Sequence, residues 1–102
     1  MKINFNGEDV MQGHRVYTPE PDEDFPHPLP LNYQSGDYWF DPTLGYWLVC
    51  SPTGGVGSLE KHTVIEHDDG TITVNPSILI TSNWQPQHNW HGYLEHGVWQ
   101  EV

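Results

Sequence analysis

The sequence predicts an all-β fold, a small antiparallel sandwich or barrel carrying an extended, Pro-rich N-terminal arm. Three observations lead there. Apolar residues make up only 35% of the chain, but they include 5 Trp, 5 Tyr and 3 Phe, large side chains that favour pleated surfaces and supply much buried area each. No window sustains the helical period of about 3.6 residues. Beyond Gly36, short aromatic and β-branched runs alternate with turn residues at close spacing, the pattern of a small all-β body. At 102 residues the chain matches one domain that buries roughly two-thirds of the surface its unfolded form exposes.

Composition shifts near Gly36 and divides the chain into an N-terminal strand and acidic arm over 1–36 and a β domain over 37–102. Lys2 to Phe5 reads as a short strand. Pro19, Pro21, Pro26, Pro28 and Pro30, interleaved with Glu20, Asp22, Glu23 and Asp24, lack backbone donors and push their predecessors to extended geometry. Residues 18–32 are therefore an extended, polyproline-like arm, pinned to the body by the alternating Leu29, Leu31 and Tyr33. Asp37 to Phe40 and Gly45 to Cys50 are strands joined by the turn Asp41-Pro42-Thr43-Leu44. His62 to His67 is a strand that turns at Asp68-Asp69-Gly70 into Thr71 to Val74. Pro76 is expected to end that strand, with Ser77 to Thr81 beginning another. Trp90 to Leu94 and Val98 to Val102 form a last hairpin around Glu95-His96-Gly97.

Charge excludes some partners. Fourteen Asp and Glu face three Lys and Arg, a formal net charge of −11, whereas sequence-independent nucleic-acid affinity needs cations to release phosphate counterions. Lys2, Arg15 and Lys61 are too few and too scattered for that, so neither nucleic acid nor an anionic membrane is an expected partner. A basic protein is electrostatically favoured. No apolar stretch approaches the roughly 20 residues of a membrane span, and no basic-then-apolar leader is evident. With Cys50 alone there is no internal disulfide or cysteine zinc cluster, which suits a reducing, cytosolic setting.

Two segments hold the candidate site residues. Trp84, His88, Trp90, His91, Tyr93, His96 and Trp99 crowd the C-terminal third. Strand alternation puts Trp90 on one face with Gly92 and Leu94, and His91 with Tyr93 on the other. One face would be core and the other an aromatic and imidazole surface suited to a base, a sugar ring or a protein hot spot. The second segment is the loop Ser51-Pro52-Thr53-Gly54-Gly55-Val56-Gly57, a turn between strands whose functional alternative is an anion nest built from its backbone amides. It is no P-loop, since no Gly-Lys-Ser/Thr follows. Ser77 lacks a nucleophile elbow. The sequence assigns no catalytic residue, no metal ligand and no cofactor.

The succession Cys50-Ser51-Pro52-Thr53-Gly54-Gly55, then Thr71-Ile72-Thr73-Val74-Asn75-Pro76-Ser77-Ile78, then Trp90-His91-Gly92-Tyr93-Leu94-Glu95-His96-Gly97-Val98-Trp99 resembles a family of small tailed-phage and prophage proteins classed as a domain of unknown function. The resemblance covers residues 36–102. It implies a phage origin, the cytoplasm of the infected bacterial host and an accessory role. Where some members carry a Cys-rich Gly loop suited to a metal, this chain keeps only Cys50, so no metal site is carried over.

The function expected from these features is non-enzymatic: binding and occlusion of a host protein, as in counter-defence. The alternative is an oligomeric sponge for a small nucleotide-like signal, and beyond it a metal-dependent hydrolase or a virion component. Exposed strand edges and the exchangeable arm favour a homo-oligomer.

Overall fold

In the computed structural model, which describes residues 10–26 and 28–102, the chain forms two sheets. Its strands are β1 (Val10–Gln12), β2 (His14–Arg15), β3 (Asp37–Asp41), β4 (Tyr46–Cys50), β5 (Val56–Ser58), β6 (Thr63–Glu66), β7 (Ile72–Ile80), β8 (Trp90–Glu95) and β9 (Val98–Glu101), with one turn of 3₁₀ helix over Pro86–His88. The first sheet has the order β1-β9-β8-β7-β6 and the second β2-β3-β4-β5. The all-β expectation holds. The expected strand over Lys2 to Phe5 lies outside the described residues.

Hairpin chemistry sets most of the register. Asp41 accepts hydrogen bonds from the Thr43 and Leu44 amides at 2.9 and 3.0 Å, closing the β3–β4 turn with the side chain that an Asx turn uses. At the β8–β9 turn, Glu95 pairs with Val98, leaving a two-residue loop. Both loop residues are left-handed, His96 at φ 46° and Gly97 at φ 75°, the backbone that matches strand twist in a type I′ hairpin.

Pro76 does not end its strand. β7 runs unbroken from Ile72 to Ile80, and its register against β8 shifts between Val74 and Ile78. Pairing with β6 stops at Asn75, so the missing proline donor falls where the ladder is already interrupted by a bulge. The shift preserves alternation, because Ile72, Val74, Ile78 and Ile80 are all buried and share one face.

Residues 10–15 connect the sheets. β1 pairs with β9 in the first sheet and β2 with β3 in the second. The β2–β3 pair is parallel, unlike the antiparallel pairing expected throughout, because the long arm between these strands allows a crossover return. Gly13 makes the step from sheet to sheet. A Cβ there would lie 2.8 Å from the Gly97 carbonyl oxygen and from Trp99 Nε1, and 2.9 Å from the Gly36 oxygen, so no side chain fits. The Gly13 amide donates to the Gly97 carbonyl at 2.7 Å.

The core lies between the sheets. Tyr38, Trp47 and Val49 of the second sheet meet Ile72, Val74, Ile78, Ile80, Trp90, Leu94 and Trp99 of the first, joined by Leu59 from the β5–β6 connection. Trp39 is also buried, but it projects away from that core, and the Tyr33 ring packs on it at a tilt of 39°, with centroids 5.1 Å apart. The arm is therefore pinned by Tyr33, while Leu29 and Leu31, expected to share that role, stay exposed.

Candidate functional site

The C-terminal hairpin separates its two faces as strand alternation requires. Trp90, Gly92 and Leu94 are buried, and His91, Tyr93 and Glu95 are exposed. Leu94 pairs with Trp99, which places Trp99 on the inward face, edge-to-face with Trp90 at 5.2 Å. Its indole N–H donates to the Gly36 carbonyl at 2.9 Å. Trp90 and Trp99 were candidates for a recognition surface; they are core residues instead, because the large inward side chains of β8 and β9 fill the space between the sheets. His91 and Tyr93 remain outside, and His91 Nε2 lies 3.0 Å from Ser77 Oγ.

His96 is apart from them, at the hairpin tip. Its ring stacks on His67 from the β6–β7 turn, with centroids 3.9 Å apart and planes 12° from parallel. The Thr73 hydroxyl joins both residues, 2.7 Å from His67 Nε2 and accepting the His96 amide at 3.0 Å. The neighbouring Asp69 carboxyl sits below the ordinary carboxylate range. Its causes are the hydrogen bonds from the Thr71 hydroxyl and amide, followed by the charges of His67 and His96.

The other predicted residues converge. The Ser51–Gly55 turn of the second sheet meets the β7–β8 connection of the first, so that Gly54 and Gly55 lie against His88: Cβ atoms built on them would sit 3.7 Å from its Nε2 and 3.4 Å from its Cβ. Thr53 Oγ1 donates to the His88 carbonyl at 2.8 Å. Between these segments lies a cleft of about 380 Å³ lined by Gly54, Gly55, Ile80, Ser82, Gln85 and His88 among others. That volume falls in the range of small-molecule sites, about 300–1,000 Å³. No Lys or Arg lines it.

The loop is a turn, as preferred, and the alternative anion nest is not formed; Val56 and Gly57 belong to β5 rather than to the loop. The Ser51 amide donates to the Gly55 carbonyl at 2.8 Å, and the Gly54 amide to the Ser51 carbonyl at 2.9 Å. The Gly55 amide donates to Ser51 Oγ at 3.2 Å. These donors are consumed by the turn itself, and Ser51 is wholly buried, so it holds the loop rather than a ligand.

Trp84 stands at the other extreme, 94% exposed. The connection that carries it is braced. The Ser82 amide donates to Asn89 Oδ1 at 2.7 Å, the Gln85 amide to Ser82 Oγ at 3.0 Å, and the His88 amide to the Gln85 carbonyl at 2.8 Å. An indole is thus presented to solvent on an ordered loop beside the cleft.

Sequence reasoning missed the role of Arg15. Its guanidinium lies 5.1 Å from the Tyr17 ring centroid and 4.8 Å from that of Trp47, and it forms an ion pair with Glu66. One of three cations in the chain is thereby spent on joining β2 to β6. Among the described residues no cluster of three or more His, Cys, Asp or Glu is arranged to hold a metal, and no helix is long and apolar enough to cross a membrane. The chain matches no protein-family model, no curated protein and no solved structure.

Proposed function

We propose that this protein is a phage accessory factor that binds a basic host protein in the infected cell and occludes its working surface, with Trp84 as the anchor of the contact. The observation that carries this reading is the exposure of Trp84, 94%, on a connection whose backbone is fixed by its own hydrogen bonds. A tryptophan held in water forgoes a large hydrophobic gain. Burying its roughly 150–250 Å² at about 25 cal/mol/Å² is worth about 4–6 kcal/mol before the costs of association. Tryptophans in ordered, pre-set positions are the residues that dominate protein interfaces. The net charge of −11 favours a basic partner and speeds the encounter. Counter-defence is the role such occlusion serves, and a homo-oligomer is the form in which we expect the protein to act.

The test is capture of a partner from bacterial lysate, followed by calorimetry with that partner purified. Trp84→Ala should weaken binding about 30-fold or more, the loss of a hot spot of about 2 kcal/mol, at an unchanged melting temperature. Equal affinity for the variant and the parent overturns the assignment.

One observation favours the sponge as the second reading: the cleft of about 380 Å³ beside His88 has the size of a small-ligand site. Native mass spectrometry of gently purified protein distinguishes the two. A discrete added mass of a nucleotide supports the sponge, and bare chains or bare oligomers leave the protein-binding reading in place.

A further inference from the structure

The arm gathers a second set of uncovered apolar side chains. Phe25 is 67% exposed, Leu29 52% and Leu31 80%, even though Tyr33 of the same segment packs on the body. This part of the arm is held in shape. Asp22 Oδ1 accepts the amides of Asp24 and Phe25 at 2.9 and 2.8 Å, and the Asp22 amide donates to the Phe25 carbonyl at 3.1 Å. Thr43 Oγ1 donates to the Pro26 carbonyl at 3.0 Å, which ties the arm to the β3–β4 turn. The folded-back segment encloses a groove of about 270 Å³ whose walls are mainly Pro19, Phe25, Pro28 and Leu29, with Glu20 and Asp22 among the lining residues.

We propose that this groove docks a basic, apolar peptide segment of a partner protein. One aliphatic or aromatic side chain sits between Phe25 and Leu29, and flanking Lys or Arg side chains lie over Glu20, Asp22, Glu23 and Asp24. Charge selects this occupant. A second copy of the chain, at −11 each, brings like charge to an acidic rim, and Arg15, the cation nearest in sequence, is already paired with Glu66. A neutral apolar segment would strip water from two carboxylates without pairing them, which is costly. A cationic segment pairs them as it buries the groove. The inference rests on the reading of this protein as a binder of basic partners, but it places contact on a different segment from Trp84.

The probe is a short fluorescent peptide in which leucines alternate with pairs of lysines. Its controls carry glutamates in place of the lysines, or alanines in place of the leucines. Anisotropy at low and at physiological ionic strength gives affinity, and backbone-amide NMR locates the contact. The lysine–leucine peptide should bind, less tightly at higher salt, and shift the amides of Glu20, Asp22, Phe25 and Leu29. Phe25→Ala and the double variant Glu20→Gln, Asp22→Asn should each weaken it about tenfold or more. Asn at position 22 keeps the Oδ1 acceptor that shapes the turn, and melting temperatures verify folding. Trp84→Ala should leave peptide binding unchanged. No binding, equal binding of the glutamate control, or shifts confined to the Trp84 connection would each overturn the groove proposal. The last outcome would leave Trp84 standing as an anchor. Conversely, peptide capture by the arm together with full partner affinity in Trp84→Ala would remove Trp84 and keep the groove.

Discussion

Replacing Trp99 with Phe should destabilise the fold by about 2–3 kcal/mol, and the magnitude can be built from three contributions. The indole N–H that donates to the Gly36 carbonyl at 2.9 Å is lost, a net cost of about 1 kcal/mol. That cost is moderated because the same carbonyl still accepts the His14 amide at 3.3 Å. The smaller ring leaves part of a fully enclosed site empty, since Trp99 is 0% exposed, adding about 1–2 kcal/mol. The edge-to-face contact with Trp90 largely survives, so it adds little. For a domain near 100 residues, each kcal/mol moves the melting temperature by about 4–8 °C, giving a drop of about 8–24 °C. Urea and thermal unfolding followed by circular dichroism measure this, with Trp84→Phe alongside as the exposed counterpart, expected within about 0.5 kcal/mol of the parent. If Trp99→Phe and Trp84→Phe unfold alike, Trp99 does not join the two sheets and the account of the core is wrong.

Two further outcomes follow from the titratable groups. Asp69 is held below its ordinary value by the Thr71 hydroxyl and amide, then by His67 and His96. Its ionised form therefore contributes stability that is present above the unfolded value near 4 and disappears as pH falls through the lower folded value. The melting temperature of the parent should exceed that of Asp69→Asn at neutral pH, and the gap should narrow as pH falls below the unfolded value; a gap that does not change with pH contradicts the assignment. Burial, followed by the nearby Asp37 carboxylate, pushes the Cys50 thiol up, which lowers its thiolate fraction. An aromatic disulfide reagent should modify it slowly in the native protein and rapidly in denaturant, and fast native labelling would show that the second sheet opens at this strand.

Much of the fold was legible because the relevant signals are local. Aromatic and β-branched runs flank Asp41-Pro42, Asp69-Gly70 and His96-Gly97, and each pair of runs forms the hairpin those turns predict. β1 and β2 were not legible: Val10–Gln12 and His14–Arg15 are too short to show a period, and they are strands because β9 and β3 offer them edges. Pro76 was misread for a related reason. A proline breaks a strand only where its N–H is needed, and that depends on which neighbours β7 acquires. Within the site, alternation grouped Trp90 with Leu94 correctly, but which face turned inward was decided by the second sheet. The meeting of Gly54 with His88 depends on packing between sheets, and no spacing along the chain encodes it. Nor does sequence reveal that Trp84, of five tryptophans, is the one left in water.

The hand-over at Gly13 also orders events in time. β1 finds its partner in β9, nearly the whole chain away, while β2 a residue later commits to β3. During synthesis the second sheet can assemble early, but the first sheet keeps an open edge until β9 leaves the ribosome. Contacts of such long sequence separation close late and slowly. Val10 to Gln12 must wait, unpaired, for β9. A nascent chain stalled before Val98 would therefore leave β1 unpaired and the β8 edge open together, two strands whose free backbone groups invite a wrong partner.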